Sequence, residues 1–250
     1  MIRALAIACL GLLALVTHAR GASPGNECTV PVSLLESDAS LRLTSYRLQR
    51  KQPIRIVAIG GGSTAGTAAG PRDQAFPQRL QVALGARYPE IEIVVINKGI
   101  PRQSTRQMVD RFASDVLAEA PTLVIWEIGT NDAVRGIDID EFGRAIQAGI
   151  DTLRARTIDI ILMDMQFSRS MAALINYPLY LAALHRTADL DDIFVFRRFE
   201  IMKYWSETGV FDFENVAREQ RQTMAARVYD CIARRLAEAI ERAAASPPAR

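Results

Sequence analysis

The chain has 250 residues, 49% hydrophobic and 23% charged, which excludes a disordered or fibrous chain and suits one compact α/β domain with a core. Nothing in a formal charge of +2 argues for a nucleic-acid partner, which would need a concentrated basic surface. Two histidines and three widely spaced cysteines make no metal-ligand cluster, and no segment calls for a cofactor.

Residues 1–21 read as a secretory signal. Met1 to Arg3 form a short basic start, Ala4 to Val16 an apolar run, and "THARGAS" a small-residue exit with cleavage after Ala19 or Gly21. The apolar run falls short of the roughly 20 residues that span a bilayer, so the expectation is a periplasmic or secreted protein with no stable membrane insertion after cleavage. An uncleaved anchor is the alternative. Cleavage would remove Arg3 and Arg20 and leave 28 basic against 28 acidic side chains. It would also leave Cys28 and Cys231, an even count in a compartment that permits disulfides. Either they bridge the mature N-terminus to a C-terminal helix or they are unrelated thiols.

Residues 22–52 form a linker rich in Pro and Ser followed by a helical pattern over 39–49, and residues 53–245 carry the folded domain. Short β-branched runs at 54–59 (IRIVAI), 91–96 (IEIVVI), 122–128 (TLVIWEI), 158–163 (IDIILM) and 193–196 (IFVF) predict five buried parallel strands. Between them Met108, Val109, Phe112 and Val116 recur at helical spacing, as do Phe142, Ile146, Ile150 and Leu153. The last helix carries Met224, Val228, Cys231, Ile232, Leu236 and Ile240 on one face. This βαβα order predicts a single flavodoxin-like, doubly wound α/β domain with helices on both faces of the sheet. Ligands of such sheets sit outside the carboxyl ends of the strands, which selects the loops after residues 60, 97, 129, 164 and 197.

The first of these loops is "GGGSTAG", which presents Ser63 where a strand turns into a helix. Gly60, Gly62 and Ala65 fit a loose dinucleotide fingerprint. Strand two, however, ends in Asn97 and Lys98 rather than the acidic residue that holds a ribose, and there is no Gly-Lys-Ser/Thr phosphate loop. Ser63 could also be a plain helix cap. The second loop, "NKGIPRQST", brings Gly99, and the third, "GTNDA", brings Asn131 beside Asp132, an expected turn residue. A hydroxyl, backbone amides and a side-chain amide meeting at one point would make an oxyanion hole.

The set "GGGSTAG", "NKG" and "GTND" resembles the SGNH (GDSL-type) hydrolase superfamily over residues 53–240, and "VIWEIGTNDA", "LMDMQF" and "FRRFEIMKYW" resemble its secreted bacterial members. The resemblance implies Ser63 as nucleophile, with the N–H groups of Ser63 and Gly99 and the Asn131 side chain as oxyanion donors. It also calls for Asp-x-x-His before the last helix, and those positions fall on Gln220 and Thr223 in "REQRQTMAARVYDC". Neither residue can supply the charge or the proton acceptor of a triad. His185, in "YPLYLAALHRTADL", is expected on a helix away from Ser63. Asp212, Glu214 and Glu219 are the carboxylates a rewired site could use.

Two functions follow. One is a weak or rewired hydrolase of acyl or acetyl esters of a small molecule or carbohydrate. The other is a non-catalytic SGNH-fold protein of the cell envelope that binds a ligand or partner. Neither the substrate nor the oligomeric state is written in the sequence.

Overall fold

β-Branched and aliphatic residues dominate the runs that become strands, because a pleated segment covered on both faces has no use for polar side chains. The computed structural model describes residues 28–245, with strands β1 (Ile54–Gly60), β2 (Ile93–Gly99), β3 (Leu123–Glu127), β4 (Asp159–Met163) and β5 (Phe194–Phe196). All pairs are parallel, in the order β2-β1-β3-β4-β5. Val57 of β1 lies opposite Ile96 of β2 on one side and Val124 of β3 on the other. Central β3 is buried along its whole length, whereas edge strand β2 is half-buried over its last four residues. All five predicted strands are present, each with its ends moved by no more than three residues.

The helices in chain order are α1 (Arg42–Gln49), α2 (Gly62–Ala65), α3 (Phe76–Arg87), α4 (Thr105–Val109), α5 (Phe112–Asp115), α6 (Thr130–Arg135), α7 (Ile139–Arg154), α8 (Arg169–Leu174), α9 (Tyr177–Leu190), α10 (Arg198–Glu207) and α11 (Arg221–Ala245). α1 and α3 pack with α11 in one layer, and α4 and α9 pack with α7 in the other, as right-handed crossovers on a sheet that reverses its winding require. The α7 stripe of Phe142, Ile146, Ile150 and Leu153 is buried as its spacing predicts. The stripe from Met108 to Val116 is instead broken into α4 and α5. At the break the Arg111 guanidinium bonds the Lys98 carbonyl at 2.7 Å and Gln103 Oε1 at 2.7 Å, tying the segment to the end of β2.

The helix expected over 39–49 begins at Arg42 because its first free N–H groups are held from outside. The Asp159 carboxylate at the start of β4 accepts from the N–H groups of Leu43 at 3.2 Å and Thr44 at 2.7 Å. Burial dominates at Asp159 and pushes its carboxyl above the ordinary value, against the bonds from Thr44 and Leu43. Cys28 is disulfide-bonded to Cys231, fastening the N-terminal segment onto α11. The signal expected over residues 1–21 lies outside the described residues. Among the described residues no helix is long and apolar enough to cross a membrane.

The crossover from β1 runs to β2, whereas β3 lies on the other flank of β1, so the loops after β1 and β3 part at their carboxyl ends. That topological switch point is where an open α/β sheet leaves a crevice.

Candidate active site

The turn after β1 is built around a buried carboxylate. Glu127 Oε2 accepts from the Gly61 N–H at 3.2 Å, the Thr64 N–H at 3.1 Å and the Thr64 hydroxyl at 2.6 Å. Its Oε1 accepts from Arg198 Nη2 at 3.1 Å. Burial alone would raise the Glu127 carboxyl, but the Arg198 charge and the Thr64 bonds together outweigh it and hold the group below the ordinary value. Glycine at position 60 is what lets the turn close on this carboxylate: a Cβ there would meet Thr64 Oγ1 at 2.1 Å and Glu127 Oε2 at 2.7 Å. Ser63 sits on this support in the one-turn helix α2 and is 8% exposed.

Ser63 and Asn131 line the same cleft of about 640 Å³, together with Pro101, Arg102, Glu127, Gln166 and Tyr229 among others. Asn131, at the start of α6, donates through Nδ2 to the Gln103 carbonyl at 2.9 Å, which uses one of its two amide protons. A Cβ on Gly61 would lie 2.9 Å from the same Nδ2, so the side-chain amide rests against the Ser63 turn. Asp132 turns away from the cleft. Its buried carboxylate accepts from the Thr105 N–H at 3.0 Å and hydroxyl at 2.9 Å, joining the second loop to the third.

Gly99 differs from its expected role. Its N–H donates to Asn97 Oδ1 at 2.9 Å, and it is not among the residues lining the cleft. A Cβ at this position would meet the Ala65 nitrogen at 2.2 Å and the Thr64 carbonyl carbon at 2.6 Å, so the glycine lets the end of β2 pack directly on α2. The second loop reaches the cleft through Pro101 and Arg102 instead, the latter with φ of +65°.

The Ser63 hydroxyl donates to Gln166 Oε1 at 3.1 Å, and Tyr229 lines the same cleft. Burial first and the Glu127 charge second push the Tyr229 phenol above its ordinary value, with Arg198 and Ser63 drawing it partly back. Gln220 lies in a 3-10 turn and Thr223 in the first turn of α11; both are exposed and neither lines the Ser63 cleft. His185, on α9, bonds the buried Asp164 carboxylate at 3.3 Å and lies outside the cleft. Asp212, Glu214 and Glu219 are exposed and lie outside it as well.

Four residues of this constellation escaped the sequence reading: Gln166, Tyr229, Glu127 and Arg198. Two had a signal. A glutamate ending the apolar run "LVIWE" demands a buried partner, and Arg198 follows another short strand. Gln166 and Tyr229 had none, because nothing local shows that α11 and the loop after β4 converge on Ser63.

The non-GDSL lipase-like family model matches residues 27–246. An acetylxylan esterase of Geobacillus stearothermophilus is 43% identical over 56 residues, and that match spans 22% of this chain and 26% of the relative's length. Among solved structures, Axe2, an acetylxylan esterase from the same organism, superposes with a TM-score of 0.59 at 20% identity, covering 79% of this chain and 96% of that one. AlinE4, an SGNH-hydrolase family esterase, gives 0.53 at 24% identity over 66% and 86% of the two chains. A sheet ordered 2-1-3-4-5, a serine turn after β1, an asparagine after β3 and a family match over nearly the whole chain lead to one assignment: the protein belongs to the non-GDSL lipase-like family of the SGNH hydrolase superfamily.

Proposed function

We propose that the protein is a secreted or periplasmic SGNH-type ester hydrolase of low turnover, with Ser63 as nucleophile. Its substrate would be an acyl or acetyl ester of a small molecule or carbohydrate. The observation that carries this reading is the opening of Ser63 and Asn131 into one cleft. In it, Ser63 Oγ attacks the ester carbonyl, and the negative charge on the carbonyl oxygen is met by the Ser63 N–H and the free amide proton of Asn131. The Ser63 N–H belongs to the first turn of α2, where backbone donors have no partner within the helix. A donor from the second loop would come from the Pro101–Arg102 turn rather than from Gly99.

The weak point is proton removal. Gln166 is an amide and Tyr229 a phenol held above its ordinary value, so neither accepts a proton readily at neutral pH. An oxyanion hole and bound substrate without a base still leave a rate roughly 10³–10⁴ above water in a well-studied serine protease, and that order is the ceiling expected here. The test is hydrolysis of p-nitrophenyl acetate by the mature protein beside Ser63→Ala. Equal rates would remove Ser63 from the chemistry.

One observation favours a second reading, that of a non-catalytic pocket protein. The Ser63 hydroxyl already donates to Gln166 Oε1, and this reading takes Gln220 and Thr223 as standing where the resemblance expects Asp and His. On that reading the cleft binds an acyl or sugar ligand and the Ser63→Ala comparison shows no difference.

A further inference from the structure

The segment 98–111 carries four basic side chains, Lys98, Arg102, Arg106 and Arg111. Three of them are matched by carboxylates: Lys98 by Glu119 at 2.8 Å, Arg106 by Asp110 at 2.9 Å and Arg111 by Asp115 at 2.6 Å. The Arg102 guanidinium has no hydrogen-bond or ion-pair partner among the described residues, and of the four it is Arg102 that lines the Ser63 cleft. Its backbone has φ of +65°, a left-handed conformation that glycine adopts without strain and other residues seldom do. The conformation is held from outside, because the Arg102 carbonyl accepts from Arg135 Nη2 and the Gln103 carbonyl beside it accepts from Asn131 Nδ2 at 2.9 Å. What arginine adds at a position suited to glycine is its side chain. Glu127, the one carboxylate among the residues lining the cleft, is already engaged by Arg198 and Thr64, so Arg102 leaves the cleft with one uncompensated positive charge. Neutral polar groups stand open there as well: Thr130 Oγ1 is buried without a partner among the described residues, and Asn131 has its second amide proton.

We propose that Arg102 is a specificity-determining residue that selects an ester also carrying a free carboxylate. The planar guanidinium fork holds the carboxylate through paired N–H bonds while the ester carbonyl lies at Ser63 and Asn131. One guanidinium matches one carboxylate. A phosphate monoester carries nearly two charges and would call for a second cation among the lining residues, which are otherwise neutral apart from Glu127. The inference rests on the proposed function for the placement of the ester, but the binding it describes needs no hydrolysis.

The experiment uses the Ser63→Ala protein, so that chemistry does not intervene, and titrates it at pH 7 and low salt with monomethyl succinate and dimethyl succinate, followed by NMR. The two probes share an ester and differ in one negative charge. A charge-assisted hydrogen bond adds about tenfold to affinity, so the monoanion should bind about tenfold more tightly than the neutral diester. Adding Arg102→Gln should bring that ratio close to one. Should this variant melt early, Arg102→Gly is the second arm, since glycine suits the backbone at this position and removes the whole side chain. Arg106→Gln, which removes an exposed cation already paired with Asp110, should leave the ratio in place. A ratio near one in the Ser63→Ala protein overturns the proposal, as does a ratio that survives Arg102→Gly in folded protein or one that Arg106→Gln abolishes equally. A preference for the monoanion without Ser63-dependent hydrolysis of p-nitrophenyl acetate in the parent protein would refute the hydrolase reading and keep the carboxylate site. Ser63-dependent hydrolysis with no such preference would do the reverse.

Discussion

Glu127, the last residue of β3, and Arg198, the first of α10, form a buried ion pair at 3.1 Å, and the other oxygen of the same carboxylate holds the turn that carries Ser63. The turn that carries Ser63 is thus tied to the start of α10 through one side chain. Removing one member of a buried pair strands the other charge, which commonly costs about 3–5 kcal/mol. Glu127→Ala should lose stability on that scale in urea unfolding at pH 7, and Glu127→Gln less, because an amide can still accept from Thr64.

The same pair predicts a pH dependence. The folded Glu127 carboxyl lies below its ordinary value of 4.5, so its contribution is complete above that pH and is lost as pH falls through the depressed value. The stability gap between the parent protein and Glu127→Gln should be widest at neutral pH and shrink below about pH 4. A gap that grows in acid would contradict the pairing.

Gln166 occupies the place at the Ser63 hydroxyl where a base would act. A positioned base contributes on the order of 10²–10⁴ in rate. Gln166→His should raise p-nitrophenyl acetate hydrolysis toward that range, with a pH profile rising through the imidazole titration. Gln220→Asp with Thr223→His should gain less, because both side chains are exposed and outside the cleft.

Gly99 offers a test that separates packing from charge stabilisation. Gly99→Ala keeps the backbone N–H but drives a Cβ against the Ala65 nitrogen, so it should destabilise the fold by about 1–3 kcal/mol. Thermal melting reads this directly, and an unchanged melt would mean that β2 and α2 do not pack as described.

The Cys28–Cys231 bridge closes a span of 203 residues. Paired replacement by serine should cost about 2–5 kcal/mol, and dithiothreitol should lower the Tm of the parent protein but not that of the double variant.

Much of this was legible one segment at a time. The five strands and the α7 stripe follow from local periodicity, because a strand or helix that buries one face must repeat at its own geometric interval. The turn at Ser63 and the place of Asn131 were legible too, since strand ends in an open α/β sheet share one rim. The split of the predicted 108–116 helix was not, because the Arg111 contacts that accompany it come from residues 98 and 103. Nor was the role of Gly99, whose neighbour is α2 across the β1–β2 pair rather than any residue beside it in the chain.

The sequence by itself determined the layered α/β architecture and the glycine-rich turn that carries Ser63 after β1, both properties of residue type and spacing. Only the tertiary structure decided what stands around the Ser63 hydroxyl. Gln166 comes from the loop after β4, Tyr229 from α11 and Glu127 from β3, and their convergence depends on how the sheet twists and how the helices pack, which no local pattern encodes.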